Sequence, residues 1–157
     1  MRLSELIHES SIIAELQATD RNGVIRELVQ SLADNGAVSK ESVETIARAV
    51  IAREKQGSTG FGKGVAVPHV KHASVEKMIA TIGRSSRGVD FAALDRAPVY
   101  TVVLLMSPSS APEEHLAAME NIFRHLQRDN FRRFLRQADT RESIIELIQE
   151  ADDQKNE

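Results

Sequence analysis

The sequence predicts an α/β fold: one domain with a central mixed β-sheet of about five strands flanked by helices. Two observations carry this. Stretches with apolar residues three and four apart alternate with short runs rich in Val, Ile and Leu. The run Tyr100 to Met106 is almost unbroken apolar, as a strand covered on both faces must be.

The elements follow in chain order. Ile12, Ile13, Ala14 and Leu16 suggest a short strand over Ser11 to Leu16. A helix starts near Asp20 on Val24, Leu28, Val29 and Leu32, and Asn35-Gly36 supplies the left-handed stop that ends it. Ser39 is the expected N-cap of a second helix with its stripe on Val43, Ile46, Ala47 and Val50. A glycine-rich loop over Gly57 to Gly64 leads into a strand ending at His69. Met78 to Arg84 reads as a strand, Ser85 to Gly88 as a turn, Val89 to Phe91 as extended chain and Asp95 to Pro98 as another turn. After the central strand, Ser110 and Glu113 have capping-box spacing before a helix with its apolar face on Leu116, Met119, Ile122, Phe123 and Leu126. On that helix His115 borders the buried face, whereas His125 falls off the stripe and is expected in solvent. A short helix over Phe131 to Gln137 and a last one over Thr140 to Glu150 complete residues 1–151, leaving residues 152–157 as a polar tail.

Composition narrows the function. The 157 residues are 41% hydrophobic and 27% charged, enough for one packed domain. A net charge of −3, one Tyr, no Trp and no long basic block set nucleic-acid binding aside. With no Cys, disulfides, thiolate metal sites and cysteine nucleophiles are excluded. No apolar run approaches the roughly 20 residues of a membrane span, and Met1 to Ser10 has no apolar secretion core, so direct membrane insertion is not expected and a cytoplasmic location is.

Chemistry must therefore come from His, carboxylates, hydroxyls or backbone. Gly57 to Gly64, GSTGFGKG, is the least ordinary stretch: its backbone can approach an oxyanion closely, and Ser58, Thr59 and the backbone at Gly60 are candidate phosphate donors. Gly57, Gly62 and Lys63 mimic part of a P-loop, but Gly64 stands where magnesium needs Ser or Thr, and helix, loop, strand is the wrong order. His69, placed by Pro68 beside this loop, is either a hydrogen-bonding core residue or a reactive imidazole. Arg53 lies in the last turn of the second helix, aimed at the interior by its spacing from Ile46 and Val50. It is either a snorkelling cation at a helix C-terminus or part of a site. His69 and His72 have H-x-x-H spacing, but on a strand they point to opposite faces without a third ligand, so no metal is expected.

The string Gly57 to His69, GSTGFGKGVAVPH, preceded by Arg53-Glu54, resembles the phosphorylation site of the enzyme IIA domains of the bacterial phosphoenolpyruvate-dependent phosphotransferase system, of the fructose/mannitol and nitrogen-regulatory type. Gly88-Val89-Asp90-Phe91, Asp95, Pro98-Val99, Met106-Ser107-Pro108 and His115-Leu116 extend the resemblance over essentially residues 1–151. It implies that His69 accepts a phosphoryl group from an HPr-like carrier protein, that His115 is its neighbour and that Arg53 approaches the phosphate. Thr59 and the loop backbone would complete the contacts, and no cofactor is implied. Phosphoryl transfer needs positioning and positive potential more than covalent machinery, which suits these residue types. The resemblance further implies either a phosphocarrier passing phosphate to a separate IIB component for sugar uptake, or a regulator whose target binding follows its phosphorylation state. The Gly-Ser-Thr-Gly loop inclines the reading to the second. One departure stands out. Val70 follows His69 where the family usually has Gly, and a β-branched residue there would add bulk beside the phosphate. It motivates the alternative of a binding module that keeps the fold without being phosphorylated.

Overall fold

The computed structural model describes residues 2–153, with Phe61 by its backbone only. Five strands, β1 (Gly60–Gly62), β2 (Val65–Ala66), β3 (His69–His72), β4 (Ile79–Val89) and β5 (Val99–Pro108), form one mixed sheet. Around it lie α1 (Leu3–Leu6), α2 (Arg21–Asp34), α3 (Val43–Gln56), α4 (Pro112–Leu126), α5 (Asp129–Gln137) and α6 (Arg141–Asp153).

The apolar run is the sheet's centre, as expected. β4 runs antiparallel along one edge of β5, while β2 and β3 lie end to end, both parallel, along the other. Val65 pairs with Thr101 and His69 with Leu105 at one common offset, so β2 and β3 are a single track broken at Val67-Pro68. The break has a local cause. Pro68 has no N–H to donate, and the Val67 N–H turns outward to the Thr59 carbonyl at 3.2 Å.

Strand alternation sorts the core into two layers. Val103 and Leu105 face Leu3, Ile7, Ile122, Leu135 and Ile148 on the α1/α4/α5/α6 side, whereas Val102, Leu104 and Met106 face Val24, Leu28, Ile46 and Val50 on the α2/α3 side. Each such side chain, fully buried, contributes roughly 1.5–3 kcal/mol before entropy is charged against it.

Several local expectations are corrected. Glu9–Ser11 is a 3-10 turn, and the Ser11 to Leu16 segment forms a single isolated bridge with β4, Ile13 to Gly83, beside scattered hydrogen bonds such as Leu16 N–H to the Arg84 carbonyl, so it is not a strand. Asp20 does cap α2, its side chain accepting from the Gly23 N–H at 2.8 Å, and Gly36 closes that helix at a φ of 79°. Ser39 precedes a 3-10 turn, Lys40–Ser42, and α3 proper begins at Val43. No turn forms at Ser85 to Gly88: β4 continues through it as a bulge that absorbs the positive φ of Gly88. The Ser110 box does not close, because Ala111 is the N-cap and Pro112 opens α4. Leu116 is 60% exposed, while His125 is only 2% exposed, since α1 and Phe131 cover the flank of α4 that the apolar stripe leaves out.

The last helix runs two residues past Ala151, into the segment read as tail; residues 154–157 lie outside the described residues. Asp152 is buried, and its carboxylate accepts from the Leu3 and Ser4 N–H groups at 2.7 and 3.0 Å, joining the two ends of the domain. Those bonds hold its carboxyl below the ordinary aspartate value, against the opposing effect of burial. We expect Asp152→Ala to cost about 1–2 kcal/mol, read as a lower urea midpoint at unchanged m-value. The wild-type advantage should be full above the ordinary aspartate pKa and be lost on acidification below it.

Candidate functional site

The same alternation builds a cleft. His69, paired with Leu105, points to the α4 side, as do Lys71 two residues on and Ser107 opposite it. His115 enters from the first turn of α4 and Arg53 from the last turn of α3. Arg53, His69, Val70, Lys71 and His115 line a cleft of about 290 Å³ at the edge of the sheet. His69 starts a strand here, rather than ending one, because Pro68 interrupts the track just before it.

The two imidazoles lie 5.5 Å apart between ring centroids, tilted by 44°. His69 Nδ1 donates to the Val67 carbonyl at 2.9 Å, which fixes the tautomer of the neutral ring and leaves the Nε2 lone pair free. This carbonyl is available because the Val67 backbone has turned off the β5 ladder. His115 is 6% exposed and shares a hydrogen bond of 2.7 Å between its Nδ1 and Ser107 Oγ. Burial pushes the His69 imidazole below its ordinary pKa, with Arg53 adding to the shift and the Val67 bond opposing it. Burial, then the neighbouring His69 and Lys71, lower His115 to about 4. Both rings are neutral near pH 7, and the charges on the cleft wall are those of Arg53 and Lys71.

Arg53 does not enter the interior. Its neighbour Glu54 does, at 1% exposure, while Arg53 stays half-buried on the cleft wall with Nη1 donating to the Gly57 carbonyl at 3.3 Å. The Glu54 carboxylate accepts from both the N–H and the hydroxyl of Thr59, and the Gly60 N–H donates to Ser58 Oγ. In this state the Thr59 donors are engaged by Glu54 and the Gly60 N–H by Ser58 Oγ, and none of the three residues lines the cleft. Most of the glycine stretch is a hairpin, β1 to β2, turning at Lys63-Gly64. His72 accepts from the Ser74 N–H in the following turn and stands apart from His69.

Val70, paired with Met106, packs its side chain into the α2/α3 core. Its φ is not positive, so an extended strand accommodates the β-branched residue without strain. The bulk anticipated beside His69 is thus largely taken up against the α2/α3 core, while Val70 still borders the cleft. Sequence reasoning missed Lys71 and Ser107. Period-two counting from His69, and the pairing of β3 with β5, would have found both.

The site thus sits on an open-edged three-layer α/β domain with two histidines paired at a sheet edge. Residues 5–151 match the family described as phosphoenolpyruvate-dependent sugar phosphotransferase system, EIIA 2, and the chain belongs to it. It is 32% identical to the PTS system fructose-specific EIIABC component of Bacillus subtilis over 97% of this chain, spanning 24% of that protein. It is 31% identical to the nitrogen regulatory protein of Pseudomonas aeruginosa, covering 94% of this chain and 95% of that one. The crystal structure of nitrogen regulatory protein IIA-Ntr from Neisseria meningitidis superposes with a TM-score of 0.83 at 27% identity, over 93% of this chain and 98% of that one. No helix among the described residues is long and apolar enough to cross a membrane.

The lowered histidine values fix a pH dependence. Between the unfolded value near 6.5 and the folded value of about 4, the unfolded chain binds more protons at His115. Stability is therefore full above pH 6.5 and falls as pH drops toward 4. Urea midpoints measured across this range should decline with acid, less steeply in His115→Asn. The His115 ring should be neutral at pH 5.5 by nitrogen-detected NMR, and an imidazolium there would refute the assignment.

Proposed function

We propose that the chain is a histidine phosphocarrier in which His69 accepts a phosphoryl group and its phosphorylation state serves regulation. The observation that carries this reading is the His69 ring itself, tied at Nδ1 to the Val67 carbonyl with Nε2 left free in a cleft that also holds His115, Arg53 and Lys71. The donor is a phosphohistidine on an HPr-like carrier protein. Nε2 attacks phosphorus in line as the donor's P–N bond breaks and the donor imidazole leaves with the bonding pair. The positive charge that develops on the His69 ring is met by the Val67 carbonyl at Nδ1–H, and the phosphoryl oxygens by Arg53 and Lys71. Neutral His115, hydrogen-bonded at Nδ1 to the Ser107 hydroxyl, is the second imidazole of the cleft, and as its Nε2–H tautomer it would donate to the phosphoryl group. Rearrangement of the Thr59 and Gly60 donors toward the bound phosphate would complete the cradle.

The near-complete overlap with nitrogen regulatory proteins supports the regulatory role, in which two added charges on His69 change the surface offered to a target protein in the cytoplasm. The fructose-specific relative supports a second reading, transfer onward to a separate IIB component. The mannitol IIA of Escherichia coli has been solved with phosphorylated IIB, and at 21% identity it speaks for the shared fold. The packing of Val70 into the core removes the motive for a module that is never phosphorylated.

Purified protein incubated with phosphoenolpyruvate, enzyme I and HPr should gain one phosphate by intact-mass analysis at neutral pH, and His69→Ala none. Uptake by His69→Ala at the wild-type rate would overturn the assignment. Arg53→Ala and His115→Ala should slow uptake by about a hundredfold with the fold retained. Val70→Gly should leave the uptake rate within about threefold of wild type while lowering stability by roughly 1–3 kcal/mol; a large rate change would place its side chain in the site after all.

A further inference from the structure

A second cleft, of about 310 Å³, lies between the β1–β2 turn and the end of α5, lined among others by Lys63, Tyr100, Arg132 and Arg136. It is distinct from the His69 cleft: Val65 and Thr101 border it, four residues along the β2/β3 track from the His69–Leu105 pair, or roughly 13 Å at strand rise. We propose that it binds a small phosphate-bearing anion.

Arg136 is the centre of the argument. Its guanidinium stacks on the Tyr100 ring at 3.5 Å from the centroid, an arrangement that occupies its face and leaves its in-plane N–H donors open. The ring also lies close against the backbone. A Cβ at Gly64 or at Gly88 would come within 3.2 Å of Tyr100, and both glycines have positive φ. The backbone of Arg136 is clamped as well, its carbonyl accepting from buried Arg84 Nε at 2.8 Å. A long side chain on an exposed helix end is thereby held in one place, its fork unspent among the described residues.

Lys63 adds a second cation at a conformational cost. It occupies a φ of 60° at the first central position of the hairpin turn, before Gly64 at 76°, where Asn, Asp or Gly fits better than a long side chain. A lysine kept in that geometry, with its charge beside the cleft, fits a ligand contact. Arg132 supplies positive potential, although its own donors go to the Leu126 carbonyl and Asp129. The one carboxylate on the lining, Asp95, accepts from the Ala97 N–H at 3.0 Å and forms no ion pair with these cations among the described residues. With Arg132 paired to Asp129, the two remaining cations, Lys63 and Arg136, outweigh one engaged carboxylate and favour an anion, and the fork of Arg136 suits phosphate oxygens. The volume suits a ligand the size of a sugar phosphate, at the small end of ligand pockets.

The test is amide NMR of the whole protein in phosphate-free buffer, titrated in turn with ribose 5-phosphate, inorganic phosphate and ribose. Shifts should centre on Lys63, Gly64, Thr101 and Arg136, saturating near or below about 1 mM for ribose 5-phosphate. Equal affinity for inorganic phosphate identifies free phosphate as sufficient; weaker affinity identifies the ester, and both support the site. Arg136→Gln and Lys63→Asn should each weaken binding about tenfold. Lys63→Asn suits the left-handed turn, so its fold is secure, and neither variant should change phosphate uptake at His69. Saturating shifts confined to the His69 cleft, an equal response to ribose, or unchanged affinity in both variants would overturn the proposal. So would tighter binding of a single-stranded oligonucleotide spreading over Arg128 and Arg133, which would mark a polyanion surface instead.

Discussion

Everything in this molecule hangs on the register of one strand. β5 fixes β2 and β3 at a common offset along one edge and β4 along the other, so a residue's odd or even place decides which layer it joins. The two hydrophobic cores and the histidine cleft are products of that one parity. A slip by one residue would exchange His69 with Val70 and Ser107 with Met106, turning the imidazole into the α2/α3 core and a valine into the cleft. The long apolar run of β5 is what prevents the slip, because it anchors both layers at once.

Breaking the track at Val67-Pro68 matters as much as continuing it. An unbroken strand would leave His69 with no fixed tautomer. The proline removes one ladder donor, Val67 turns outward, and its carbonyl takes the His69 Nδ1 proton. A neutral ring with a defined lone pair therefore comes from backbone geometry, where other imidazole sites use a carboxylate. That choice leaves no carboxylate on the cleft lining among the described residues. The buried carboxylate of Glu54 accepts from Thr59, while its charge acts on the His69 ring through space.

Much of this was legible in the sequence, for identifiable reasons. The central strand, α2 with its Asp20 cap and Gly36 stop, and the apolar stripe of α6 are short-range patterns, and His69 stands out by its glycine loop, whereas its pairing with His115 was implied by the family resemblance alone. What escaped depends on contacts distant along the chain. His125 lies off the stripe of α4, yet α1 and Phe131, from opposite ends of the chain, close over it. Ser85 to Gly88 has turn composition, but pairing with Val99 carries β4 through it. Arg53 was aimed inward by helical periodicity alone, whereas the loop after it gave Glu54 the buried partner. Lys71 and Ser107 needed only strand period and pairing, a signal present but passed over beside the glycine loop.

The carboxylate of Asp152 on the first turn of α1 has a topological meaning. With the two ends of the fold within hydrogen-bonding distance, the path of the chain is almost a closed ring. A linker of a few residues would complete that ring, and new ends could then be opened in an exposed connection such as the one between α2 and α3. The order of segments along the gene is thus largely separable from the architecture they build.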